Sequence, residues 1–165
     1  MPSVTYLGHI ISGQGVQPDP EKIQAIVAWP PPRSLTALRR FLGLTGFYRK
    51  FVRNYVAIAT PLTDLLRSTT FQWPLQAQQA FTELKNKITF VSVLALPDFN
   101  SLFVIKTDAS GTAIGVVLSQ HGHLIAFFSK HLFPKLQAAL VYIREMLAVI
   151  KAIKRWRQYL IGHYF

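Results

Sequence analysis

The sequence predicts an α+β chain, a small helical region followed by a β-β-β-α unit. Two observations carry this. Up to about residue 97, apolar residues recur at helical spacing between proline breaks. After it, three short β-rich runs joined by Ala109-Ser110-Gly111 and His121-Gly122-His123 precede one long amphipathic stretch.

The elements follow in order. Residues 4–11 are β-rich and lead into the turn signal Ser12-Gly13-Gln14-Gly15, so a hairpin arm is expected. Asp19 can cap a short helix over 22–29, with Pro20 at its first position. Pro30-Pro31-Pro32 ends it, because proline lacks an amide donor and disfavours helix in the preceding residue. Ser34 is the next N-cap, for a helix over 35–52. Pro61 starts a further piece over 62–66. Residues 76–88 form an amphipathic helix carrying Ala80, Phe81, Leu84 and Ile88. Strands are expected over 102–108, 113–120 and 124–130, and a long helix over 137–160.

Composition narrows the function classes. Half of the 165 residues are apolar and only 15% are charged, well under the usual quarter of a soluble domain. This is a folding chain with surfaces suited to being covered. Its 18 Lys and Arg against 7 Asp and Glu give a formal charge of +11, which favours a polyanionic partner, nucleic acid first. A merely basic surface is the alternative. The absence of cysteine excludes disulfides and thiolate metal sites. No leader-like segment follows Met1, and no run reaches the roughly 18 apolar residues of a membrane span, so no membrane partner is expected.

Three features point to chemistry. Plotted at about 100° per residue from Leu35, Arg39, Gly43, Gly46, Lys50 and Arg53 share a stripe opposite a broad apolar side. Glycine costs up to about 1 kcal/mol inside a helix, so two on one stripe call for a close approach to the backbone. Either a packed helix or a nucleic-acid backbone with its phosphates meeting the cations would supply it. Asp108 ends a strand and can present both oxygens to a metal, or cap the Ala109-Ser110-Gly111 turn. Glu145 shares a helix side with Val141, Ala148, Val149 and Ala152 and has no Lys or Arg three or four residues away. It either shares a cation with Asp108 or sits at a solvated rim.

Read together, these segments resemble the Pol polyprotein of gypsy-type long-terminal-repeat retrotransposons. Tyr6-Leu7-Gly8-His9-Ile10-Ile11-Ser12 is similar to the primer-gripping hairpin after the polymerase site. Asp19-Pro20-Glu21-Lys22-Ile23 resembles the start of the thumb. Leu38-Arg39-Arg40-Phe41-Leu42-Gly43-Leu44-Thr45-Gly46-Phe47-Tyr48-Arg49-Lys50-Phe51 resembles the thumb helix that lies along the primer–template minor groove. Ile58-Ala59-Thr60-Pro61-Leu62 and Ala80-Phe81-Thr82-Glu83-Leu84 resemble the connecting region. Thr107-Asp108-Ala109-Ser110 and Tyr142-Ile143-Arg144-Glu145-Met146 resemble the first strand and first helix of RNase H, with Asp108 and Glu145 at metal-binding positions. Two positions depart from the family pattern: Leu140 stands where Ser or Thr is usual, and Ile143 where Glu is usual.

The resemblance implies four segments: a primer-grip-like hairpin over 1–16, a thumb-like region over 17–70, a connecting helix over 71–98, and an incomplete RNase H-like unit over 99–165. It implies nucleic-acid contacts from Leu7, Gly8, His9, Arg39, Gly43, Gly46, Arg49, Lys50 and Arg53. It also implies Asp108 and Glu145 as an incomplete catalytic and metal set for Mg2+ or Mn2+. The expected partners are RNA–DNA hybrid or duplex nucleic acid, with the rest of a Pol polyprotein or self-association besides, in nucleus or cytoplasm. The family's polymerase aspartates would precede Met1 and its later RNase H carboxylates would follow Phe165. Binding without catalysis is therefore expected; the alternatives are a co-opted protein-interaction module and a residual metal-dependent nuclease. The strand bearing Asp108 is expected to be left as a sheet edge.

Overall fold

The computed structural model describes residues 2–165; Met1, the first position of the expected hairpin segment, lies outside the described residues. It contains two three-stranded antiparallel sheets, each of the two hydrophobic cores being associated with one of them.

The first sheet is a meander of β1 (Ser3–Tyr6), β2 (His9–Ser12) and β3 (Gly15–Pro18). The expected single hairpin is thus two. Leu7 and Gly8 both take positive φ, 46° and 74°, in the two-residue turn joining β1 to β2. Gly15, at φ 134°, lets β3 pass so close to the chain at Leu94 that any Cβ would overlap the Leu94 carbonyl. Val16 and Leu94 then exchange backbone hydrogen bonds of 2.7 and 2.8 Å, which fastens the meander to the middle of the chain.

Helix α1 (Pro20–Val27) begins as expected, with Asp19 accepting from the Glu21 N–H at 3.0 Å. Helix α2 (Leu35–Phe47) is capped by Ser34, which accepts from the Ala37 N–H at 3.2 Å. It stops five residues short of the expected end. Tyr48 leaves helical geometry, its hydroxyl donating to the Gly8 carbonyl at 3.0 Å, and a 3₁₀ turn (Arg49–Phe51) follows that buries Phe51 and Val52. Helix α3 (Tyr55–Leu65) starts seven residues before the expected Leu62 and runs through Pro61. The Thr60 and Thr63 hydroxyls donate to backbone carbonyls one turn back, at 2.7 and 3.2 Å, on either side of the proline. Helix α4 (Leu75–Thr89) buries Ala80, Phe81, Leu84 and Ile88. Around it close Leu38, Phe41, Tyr55 and Leu62, with the Phe41 and Phe81 rings 4.6 Å apart. Lys85 sets its Nζ 4.7 Å from the Phe81 ring centre and donates to the Trp29 carbonyl at 2.8 Å, just beyond the end of α1.

The second sheet has the order β4 (Val104–Ala109), β5 (Ala113–Gln120), β6 (His123–His131). Among the described strands, β4, which bears Asp108, pairs with β5 alone. The long helix expected over 137–160 starts later, as α6 (Val141–Arg155), and is interrupted before α7 (Arg157–Leu160); a separate short helix, α5 (Pro134–Gln137), precedes it. Helix α6 starts without a side-chain cap. Its N-cap, Leu140, carries no acceptor, so the position that a Ser or Thr would use to satisfy an orphan amide is unused. Helix α6 buries Ala148 and Ala152 against a core containing Phe103, Ile114, Val116 and Leu118.

Candidate nucleic-acid interface and carboxylate pair

Because α2 ends at Phe47, the stripe of glycines and cations divides. Arg39 and Gly43 lie exposed on α2 itself, and a Cβ on Gly43 would meet nothing within 4 Å. At Gly46 a Cβ would lie 3.7 Å from the Tyr55 hydroxyl, an ordinary contact. Neither glycine is therefore demanded by a helix packed on it from within the described residues. Arg49 is exposed on the 3₁₀ turn. Lys50 instead leans on Phe51, its Nζ 5.1 Å from the ring centre, and burial lowers its pKa. Arg53 turns away towards the second sheet.

The β1–β2 turn is positioned by the same region. Leu7 is 70% exposed at its tip. Gly8 is tucked beneath Tyr48: a Cβ there would come 2.9 Å from the hydroxyl. The His9 ring packs among Phe47, Tyr48 and Phe51, at centroid distances of 5.0, 5.7 and 5.6 Å. Its Nδ1 faces the Leu7 carbonyl at 3.0 Å, while Nε2 is buried without a partner. Desolvation, with help from the Lys50 charge, lowers its pKa. Thus Leu7 projects, and Gly8 and His9 hold it against the end of α2.

The two carboxylates stand on different elements, Asp108 on β4 and Glu145 on α6. Strand alternation puts Ile105, Thr107 and Ala109 on the face that α6 covers, and Lys106 and Asp108 on the other. Asp108 lines a cleft of about 310 Å³ with Arg53, Asn54, Lys106, Gly115 and Phe127. Glu145 lies exposed on α6, outside that cleft; its neighbour Arg144 donates to the Ser110 carbonyl at 3.2 Å. Among the described residues no group of three or more His, Asp or Glu could hold a metal ion. Two ions about 4 Å apart need more ligands than these.

Sequence reasoning missed Asn54 and Lys106. Asn54 takes left-handed geometry at φ 54°, and its side chain occupies the space a Cβ on Gly115 would need. Asparagine before a helix is compatible with that conformation, but nothing local ties it to Gly115, sixty-one residues on. Lys106 was legible from the two-residue period of its strand, which sets it beside Asp108.

Comparison with known proteins agrees with this architecture. The family described as the RNase H-like domain found in reverse transcriptase matches residues 73–165. The retrovirus-related Pol polyprotein from transposon 297 of Drosophila melanogaster is 44% identical over 162 residues, covering 97% of this chain and 15% of the polyprotein. That from transposon gypsy of the same organism is 36% identical, covering 97% of this chain and 17% of its own length. An uncharacterized mitochondrial protein of Arabidopsis thaliana, AtMg00860, is 51% identical over 107 residues, 64% of this chain and 68% of that protein. The chain therefore spans about a sixth of the transposon polyproteins it matches. In fold it is similar to foamy viral protease-reverse transcriptase, solved in complex with RNA/DNA hybrid, with a TM-score of 0.88 over 97% of this chain and 22% of that one, at 24% identity. The matched residues, the two-sheet architecture and the Pol relatives together place the chain in the RNase H-like family of reverse transcriptases, within the Pol polyproteins of retrovirus-related transposons.

Proposed function

We propose that this chain is a thumb and RNase H-like segment that grips RNA–DNA hybrid or duplex nucleic acid without regard to sequence, and that by itself it cleaves nothing. The observation that carries the binding half is the open surface at Gly43. A glycine inside a helix, with exposed Arg39 nearby and no neighbour to accommodate, leaves the backbone free for a phosphodiester strand. Exposed Arg49 and the projecting Leu7 turn, held by Gly8 and His9, extend that surface; Gly46 and Lys50 border it, while Arg53 faces the cleft beside Asp108. The segments over 1–16, 17–70, 71–98 and 99–165 act as grip, thumb, connector and RNase H-like unit. The catalytic half rests on the carboxylates: among the described residues no third His, Asp or Glu groups with Asp108 or Glu145, and a pair of Mg2+ or Mn2+ ions takes more ligands than two.

A labelled RNA–DNA hybrid, titrated across a salt series with Mg2+ or Mn2+ present, tests both halves. Binding that falls steeply with salt and leaves the hybrid intact is the expected outcome. Metal-dependent cleavage that disappears in Asp108→Asn would establish a residual nuclease and reject the inactive reading. A second reading, a protein-interaction module, is favoured by the exposed apolar flank of α6, where Tyr142 and Met146 are 61% and 60% accessible. It predicts no measurable nucleic-acid binding even at low salt.

A further inference from the structure

Helix α3 begins without a cap of its own. The first turn of a helix leaves amides that none of its own carbonyls can reach, and an asparagine at the N-cap ordinarily satisfies one with its side chain. Asn54 makes no such bond. The Val56 N–H, the second of the helix, donates instead to the Ser129 hydroxyl at 3.0 Å, across seventy-three residues. The cap of α3 is thus supplied by β6.

Asn54 is left free for another contact. With its left-handed backbone, φ 54°, it lays its side chain against β5, where the amide oxygen fills the space that a Cβ on Gly115 would need. Asp108, Gly115 and Ser129 are paired neighbours in successive strands, so they form one row across the face turned away from α6. The start of α3 rests on this row. Gly115 allows the close approach, Ser129 supplies the hydrogen bond, and Asp108 stands at the end. A second tie lies further along β6, where the Ala95 N–H donates to the Leu124 carbonyl at 2.6 Å. Two ties on one strand, roughly 15 Å apart at strand spacing, fix a direction where one alone would leave a pivot.

We propose that Asn54, Gly115 and Ser129 form a joint that holds the helical region and the second sheet as one body, with Asn54 as its positioning residue. The joint needs no bound strand. That it also fixes Asp108 relative to a strand gripped along α2 rests on the grip proposed above. Spin labels at Gln79→Cys on α4 and Lys154→Cys on α6, both exposed, in a chain with no other cysteine, read the joint without nucleic acid. The distance distribution between them is expected to be single and narrow. Gly115→Val suits a strand but fills the space that Asn54 occupies, and should shift or broaden the distribution. Adding Asn54→Gly, which vacates that space and keeps the left-handed position unstrained, should narrow it again. Ser129→Ala should speed amide exchange at Val56 about tenfold or more, and Ser129→Thr, which keeps the hydroxyl, should not.

A native distribution that is already broad overturns the proposal, as does one that Gly115→Val leaves unchanged. So does one that stays broad after Asn54→Gly is added while circular dichroism remains native. Should Gly115→Val fail to fold, Val56 decides: an amide that exchanges as fast in the native chain as in Ser129→Ala overturns the joint. Hybrid binding is measured separately, and its absence from a chain with a narrow distribution rejects the grip and leaves the joint standing.

Discussion

The two cores of this molecule use their apolar residues in opposite ways. In the first, three helices close around α4, so that Phe41, Leu62, Phe81 and Leu84 are all at most 2% exposed. In the second, one helix covers one face of a three-stranded sheet. Its fully buried residues are Ala148 and Ala152, with Leu147 and Ile153 partly buried beside them, while Tyr142, Met146, Val149 and Ile150 remain outside. A high apolar fraction therefore reports two things in one chain: a core that is complete, and a surface that still has something to bury.

The sharpest way to break this comparison is to delete bulk from both regions. Phe81→Ala should cost about 3–5 kcal/mol in denaturant unfolding, as a large void opens among Phe41, Trp73 and Leu84. Met146→Ala should change stability by no more than about 0.5 kcal/mol, the surface value. Equal losses would mean that the α6 flank is covered after all. A smaller effect is expected where α6 begins. Leu140 and Ile143 stand at the N-cap and third helical positions of α6, where Ser or Thr with Glu would form a reciprocal capping box, and neither half is present. Leu140→Thr with Ile143→Glu should stabilise the second core by about 1 kcal/mol, read from amide exchange in α6. An unchanged exchange rate would show that tertiary packing alone fixes that helix start.

The smallest effect concerns the joint between the first sheet and α2. The His9 pKa is lowered, first by desolvation and then by Lys50, so the folded state favours the neutral ring. The contribution is complete above the unfolded value of about 6.5 and declines as pH falls below it towards the lower folded pKa. Besides Lys50, the titratable groups near this ring are Tyr48 and, through Tyr48, Asp19. Thermal melts of the native chain should lose stability between pH 7 and pH 5 more than those of His9→Asn. Parallel curves would remove His9 from the joint.

Much of the molecule was legible in the sequence because its causes are local. Asp19, Pro20 and Ser34 mark helix starts by side-chain chemistry that acts within a turn. The period of Ala80, Phe81, Leu84 and Ile88 marks the buried side of α4, and the spacing of turn residues marks β4 to β6. The early end of α2 was not legible, since continued helix satisfies every local rule through Val52. What stops it is Tyr48 donating to Gly8, forty residues earlier, and Phe51 turning in to meet His9. Pro61 read as a helix start for the same reason: locally it favours that role, and only the packing of Tyr55, Ala59 and Leu62 carries α3 through it.

The candidate site divides along the same line. Its ingredients, an exposed cationic helix face and two isolated carboxylates, were determined by the sequence itself, through which residues are charged and at what spacing. Where they point was decided only in the tertiary structure. The fold sends Arg53 into a cleft with Asn54 and Asp108, keeps Arg39 and Gly43 on the open face of α2, and sets Asp108 on the sheet face away from α6. Sequence spacing fixes direction only within one helix or strand; between elements, direction is fixed by which surfaces exclude water together.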